Sequence, residues 1–318
     1  MSGERIRIGI SSCLLGQRVR YDSNHKHDSY ITGTLGQYFE FVPVCPEVAI
    51  GLGVPRPPIQ LAGDPGQPRA RGVRDPAMDV TDALQDYGRR MAGELTDISG
   101  YIFKSRSPSC GMERVKVYGP QGGGAAKQGV GLYAQQIMAA RPLLPVEEEG
   151  RLGDPGLRDN FLERVFAYRR WQQQVRQGLC PAALVDFHTR HKLSLMAHGQ
   201  GPYRALGRLV ADAGRKRGFN DLCNRYISEF TQALKHRATV RRHTNVLQHL
   251  LGYLRRDLDG DDRQELADTI DRYRRGEVPR IVPVTLLKHH FRRHPDPYVE
   301  DQLYLNPPSD ELMLRSYL

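Results

Sequence analysis

The feature that most limits the fold is a change of pattern at Pro181. Before it, short runs of β-branched and aromatic residues, each bounded by turn residues, alternate with helical stretches. After it, helical periodicity alone remains. Arg5–Ile10 alternates apolar and polar residues, Tyr38–Val44 is aromatic and β-branched, and Gly100–Lys104 is a third run of this kind. A helix is expected from Thr81, read as its N-cap, with Leu84, Tyr87, Met91 and Leu95 at helical spacing. Gly63–Asp75 and Gly119–Gly129 are so rich in breakers that they are expected to be loops, either plain surface connections or covers over a site.

A long amphipathic helix is expected over 157–177 and is stopped by Gly178. Beyond it, 181–198, 203–213, 219–256, 261–275 and 284–291 read as helices. Leu247, Leu250, Leu251 and Leu254 carry the periodicity, while Asp261 and Gly276 look like a start cap and a stop. The expected architecture is an α/β N-terminal domain with an open, mostly parallel sheet (1–178) and an all-α C-terminal domain (179–318). A chain of 318 residues is long enough for two such cores.

No apolar run approaches the roughly 18 residues a membrane span needs, so no span is expected. The first residues, charged at Glu4, Arg5 and Arg7, do not read as a signal or transit peptide. Five cysteines, an odd number scattered over the chain, make no compact disulfide framework, and a cytoplasmic location is expected. The net charge of +10 points to an acidic partner, nucleic acid being the commonest.

Each of the three strand candidates is followed within a few residues by a cysteine: Cys13, Cys45 and Cys110. In an open α/β sheet, ligands gather beyond the carboxyl ends of the strands, where such loops converge. Three thiolates suit zinc or an iron–sulfur cluster and leave one metal position open, whereas a closed structural site needs four ligands. The alternative for each cysteine is a small buried hydrophobe, and that is the reading preferred for Cys180 and Cys223.

Three motifs stand in order: Ser11-Ser-Cys-Leu-Leu-Gly16 with Val19-Arg-Tyr-Asp22; Pro43-Val-Cys-Pro-Glu47 with Pro55-Arg56-Pro57; and Lys104-Ser-Arg-Ser-Pro-Ser-Cys-Gly111. Together, over roughly residues 5–170, they resemble the thiouracil desulfidase family. The resemblance implies a 4Fe-4S cluster held by Cys13, Cys45 and Cys110, with one open iron for the sulfur of a thiolated uracil. The implied reaction is non-redox removal of that sulfur.

Glu47, two residues after a ligand, is a candidate to activate water; alternatively it only stabilises the first turn of a helix after Pro46. Ser107 and Ser109 would bond the ring or relay a proton, or else form ordinary turn chemistry. Asp22, in a polar loop, is a further candidate. Arg56, Lys104 and Arg106 are expected phosphate contacts if the substrate is a nucleotide.

The segment from about Leu184 to Tyr304 resembles the YbgA-type helical domain, through His188-Thr-Arg-His-Lys192, Leu195-Met-Ala-His198 and Tyr203. Hydrogen-bonded helix histidines are preferred there over a metal site. Arg237, Arg241 and Arg242 are read on one helical stretch, Arg237 and Arg241 as i, i+4 neighbours, with Tyr253 and Tyr273 available to stack on bases. The implied partner is tRNA carrying 4-thiouridine. Two other functions remain open: a cluster-dependent hydro-lyase acting on a small hydroxy acid, and an RNA-binding or redox-sensing protein without enzymatic activity.

Overall fold

The computed structural model of the chain describes residues 5–119, 124–214 and 218–316. Its first unit, residues 1–161, is built on strands β1 (Ile6–Ser11), β2 (Phe39–Val44), β3 (Ile59–Ala62), β4 (Arg69–Gly72), β5 (Gly100–Phe103), β6 (Val115–Tyr118), β7 (Ala126–Gly129) and β8 (Val146–Glu148). Helices α1 (Ser29–Gly33), α2 (Pro46–Ala49), α3 (Thr81–Glu94) and α4 (Leu132–Ala140) lie between them, and α5 (Pro155–Arg176) follows. The main sheet has the order β2-β1-β5-β8, and every pair in it is parallel. All four carboxyl ends therefore share one rim, and the strand order reverses between β1 and β5.

The expected open parallel sheet is thus present, and β1, β2 and β5 fall on the three predicted runs. Fully buried Ile8, Ile10, Ile102, Tyr101 and Phe103 form its core. A glycine is required inside β1: a Cβ on Gly9 would lie 2.4 Å from the Tyr101 ring, on the residue that Gly9 faces in β5.

A second sheet, β4-β3-β6-β7, was not legible. The stretches predicted as loops supply two of its strands, β4 and β7, and residues 120–123 lie outside the described residues. The reason is pairing: β4 buries only Ala70 and Gly72 and is held antiparallel to β3, with Leu61 opposite Ala70. Thr81 is likewise not the cap of α3. It is the first helical residue after Val80, and its hydroxyl accepts the Ala70 N–H at 2.8 Å.

The second unit, residues 162–318, is helical beyond the rest of α5: α6 (Pro181–Arg190), α7 (Lys192–His198), α8 (Gln200–Ala211), α9 (Phe219–Lys235), α10 (Val240–Tyr253), α11 (Gly260–Arg274), α12 (Ile281–Arg293), α13 (Pro297–Glu300) and α14 (Ser309–Ser316). Leu247, Leu250 and Leu254 pack with Leu193, Leu266 and Leu287, while Leu251 is partly buried beside them. Two expected helices are each broken in two, at His191 and at His236–Thr239. The second break has a local cause, because the Thr239 hydroxyl caps α10 by accepting the Arg242 N–H. Arg237 therefore lies in the connection and is not on one helix with Arg241. Asp259 rather than Asp261 caps α11, and Gly276, at φ 79°, ends it as expected.

No helix among the described residues is long and apolar enough to cross a membrane.

Candidate functional site

Four strand ends deliver the side chains of one cavity of about 590 Å³ at the parallel rim. β1 runs into a 3-10 turn, Ser12–Leu15, that carries Cys13, whose carbonyl accepts the Lys26 N–H at 2.8 Å. β2 ends at Cys45, the residue before α2, where Pro46 starts the helix and Glu47 sits in its first turn. β5 feeds the loop 104–111, which carries Cys110 near its end. The start of α4 pins that loop: the N–H groups of Leu132 and Tyr133 donate to the carbonyls of Pro108 and Ser109 at 3.0 Å each. Gly131 makes the approach possible, since a Cβ there would lie 2.5 Å from the Ser109 carbonyl carbon. After β8, Glu149 enters from the fourth strand end.

Cys13, Cys45 and Cys110 all line the cavity and all are free thiols. Burial pushes Cys13 up to about 11, against the opposing charges of Arg20 and Lys104. Burial also raises Cys45, and it raises Cys110 well above the usual thiol value although the Ser11 hydroxyl bonds to it. Cys45 donates to the Val19 carbonyl at 3.7 Å. Among the described residues, no group of three His, Cys, Asp or Glu side chains lies close enough to hold a single metal ion.

Glu47 lines the same cavity and is held on both carboxylate oxygens. Ser109 Oγ donates to Oε1 at 2.8 Å, and Arg56 donates to Oε2 through Nε at 2.9 Å and Nη2 at 2.7 Å. Ser109 is fully buried behind it. Ser107 faces the cavity, and its Oγ accepts the N–H groups of Ser109 at 3.3 Å and Cys110 at 3.1 Å. With both acceptor sites engaged, its own O–H is left to donate.

Lys104 Nζ is paired with Glu149 and also donates to the Ser105 carbonyl at 3.1 Å. Arg106 is exposed at the cavity in the left-handed region, φ 60°. Asp22 is not among the lining residues; it accepts the Asn24 N–H at 3.2 Å, as in an Asx turn.

Sequence reasoning missed Arg20, Lys26, Tyr21, Ser105 and Glu149, all of which line the cavity. Glu149 had a signal in its position after Val146-Glu147-Glu148, but that run is too short and polar to read as a strand.

In the helical unit, His188, His191 and His198 are buried and hydrogen-bonded as expected, to Tyr226 Oη, the Phe187 carbonyl and Glu163 respectively. Arg241 is exposed, Arg242 donates to the His198 carbonyl at 2.9 Å, and Arg237 is exposed in the break between α9 and α10. Tyr253 is half-exposed and stacked on Tyr298, whereas Tyr273 belongs to the core and cannot meet a base. Cys223 is buried, but Cys180 is exposed just before α6, contrary to its expected burial.

An α/β unit with three thiols around the rim of a parallel sheet, joined to a helical unit, defines the class. Residues 8–149 match the family model described as 2-thiouracil desulfurase, and residues 192–308 match one described as a protein of unknown function, DUF1722. The uncharacterized protein YbgA of Escherichia coli is 41% identical over 146 residues, 46% of this chain and 86% of that protein. The uncharacterized protein YbbK of Bacillus subtilis is 31% identical over 110 residues, 33% of this chain and 72% of that one. A solved structure, the [4Fe-4S]-dependent thiouracil desulfidase TudS, is 31% identical with a TM-score of 0.37, covering 47% of this chain and 94% of its own. The chain therefore carries a 2-thiouracil desulfurase domain over residues 8–149 joined to a YbgA-type region over residues 192–308, and it belongs to the family of YbgA.

Proposed function

We propose that the protein is an iron–sulfur-dependent desulfidase that hydrolyses the thiocarbonyl of a thiolated uracil, as 4-thiouridine in tRNA or as its nucleotide, to uracil or uridine and sulfide. The observation that carries the reading is the convergence of Cys13, Cys45 and Cys110 on one cavity with Glu47 beside them.

The donor set fits a [4Fe-4S] cluster with three cysteine ligands. Cys13, Cys45 and Cys110 would each hold it through a thiolate. All three thiols line the one cavity. Burial opposes bare thiolates here, so a bound metal centre would supply the charge that keeps them ionised. When bound, the cluster would supply an open iron acting as a Lewis acid toward sulfur.

The protein's own groups supply the rest. Glu47 takes a proton from the water that attacks the ring carbon. Ser107 donates its O–H to the ring. The C=S bond and one water are exchanged for C=O and hydrogen sulfide, with no net oxidation or reduction. Lys104 is a fixed cation beside Cys13, and Arg106, exposed at the mouth, is the cation proposed for a nucleotide phosphate.

The helical unit is proposed to dock tRNA through exposed Arg237 and Arg241 and the half-exposed face of Tyr253. The test is to incubate anaerobically reconstituted protein with 4-thiouridine monophosphate and follow loss of thiocarbonyl absorbance together with sulfide release. Equimolar loss and release support the reading, and neither occurring with an intact cluster contradicts it.

A further inference from the structure

We infer that Arg56 is the positioning residue of Glu47, fixing that carboxylate so that Oε1 receives the proton of water. This rests on the desulfidase reading of the same site. The Arg56 side chain is 3% exposed. Nε and Nη2 both donate to Glu47 Oε2, and Nη1 donates to the carbonyls of Val19 at 2.9 Å and Gly53 at 3.0 Å. Four of the five guanidinium N–H groups are thereby committed inside the protein.

The carboxylate is left asymmetric. Oε2 accepts two donors and is saturated, while Oε1 accepts only Ser109 Oγ and keeps one acceptor site open. A planar fork defines this arrangement in a way an ammonium cannot. The same guanidinium ties three segments of the site together: the chain after the Cys13 turn through Val19, the start of α2 through Glu47, and the loop at Gly53. It also serves the Cys45 ligand position, because Val19 O is the carbonyl that faces the Cys45 sulfur. A bare carbonyl dipole would repel a thiolate there, and the Nη1 donor offsets it.

The test compares Arg56→Met and Arg56→Lys with the unaltered protein on 4-thiouracil and on 4-thiouridine monophosphate, with iron content and circular dichroism as controls. Positioning predicts that kcat falls about 100-fold for both substrates while KM stays within about twofold. It also predicts that Arg56→Lys keeps fold and iron but loses at least about tenfold in kcat, and that added methylguanidinium restores part of the Arg56→Met rate.

A phosphate contact predicts the opposite split, a KM rise confined to the nucleotide with kcat unchanged, and that result overturns the inference. A lysine variant with unaltered kcat overturns it too. Calorimetric binding of uridine monophosphate, which needs no turnover, separates the two questions. An intact protein that binds it without desulfurising either substrate contradicts the desulfidase reading. In that event, Arg56→Met with unchanged affinity still supports an inward-facing Arg56, and affinity reduced to that of uridine overturns it.

Discussion

Replacing Glu163 by Gln tests the polar interior of the helical unit. Glu163 is 8% exposed, and its Oε2 meets His198 Nε2 at 3.0 Å and Arg315 Nη2 at 3.2 Å. Burial pushes the Glu163 carboxyl up, but the Arg315 and His198 charges outweigh it and hold the group well below the ordinary range. Burial pushes His198 down, and the Glu163 charge more than reverses this, so the imidazole is raised.

Glutamine keeps the shape and removes the charge, taking the Glu163 carboxylate from buried His198 and one of two carboxylate partners from Arg315. Loss of one partner of a buried pair costs about 3–5 kcal/mol. Arg315 retains Glu311 at 3.1 Å, which places the expected cost near the lower end, about 3 kcal/mol. With a urea slope of about 2 kcal/mol/M, the midpoint falls by about 1.5 M. Trp171 is the single tryptophan, buried in the same unit and edge-on to Phe187, so its fluorescence reports that unit's unfolding.

The difference between the two proteins depends on pH in a defined direction. The raised His198 contributes stability that is fully present below its unfolded value of about 6.5 and is lost as pH rises through the folded value. The depressed Glu163 contributes stability present above its unfolded value of about 4.3 and lost as pH falls through its folded value. The gap between variant and wild type is therefore widest at about pH 5–6.5 and narrows on either side. A midpoint shift below about 0.3 M, or a gap that widens steadily above pH 7, would show that Glu163 does not hold these cations.

Three further outcomes follow from the sites. Cys110→Ala abolishes iron binding while leaving Trp171 fluorescence unchanged, whereas alanine at exposed Cys180 leaves iron content intact; iron assay on both proteins decides it. Glu47→Gln lowers turnover by about 100-fold or more at unchanged iron content, and unaltered turnover would remove Glu47 from the chemistry. Arg241→Ala weakens tRNA binding uniformly across sequences and lowers the slope of log affinity on log salt by about 1, measured by filter binding at several salt concentrations.

The parallel sheet, the all-helical second half and the three-cysteine rim were legible because hydrophobic periodicity and cysteine placement are local signals. The second sheet was not, because β4 (Arg69–Gly72) turns small Ala70 and Gly72 inward and depends on pairing with β3, which no local window contains. The break before α10 was marked by Thr239, yet the apolar period running across it suggested one helix. At the site, Glu47 was legible from its spacing after Cys45. The partnership of Arg56 with Glu47 was not, since it depends on how Val19, Glu47 and Gly53 come together in space. Arg20 was missed for the same reason, and Glu149 because the three-residue run before it is too short and polar to read as a strand.

Anaerobic purification with iron and acid-labile sulfide quantitation, carried out on the unaltered protein and on single alanine variants of Cys13, Cys45 and Cys110, tests the central claim most directly. A [4Fe-4S] centre on these three thiolates gives about four irons and four sulfides per chain in the unaltered protein and loss of both in every variant. One zinc ion per chain in place of iron, or a full complement of iron in any of the three variants, would contradict it.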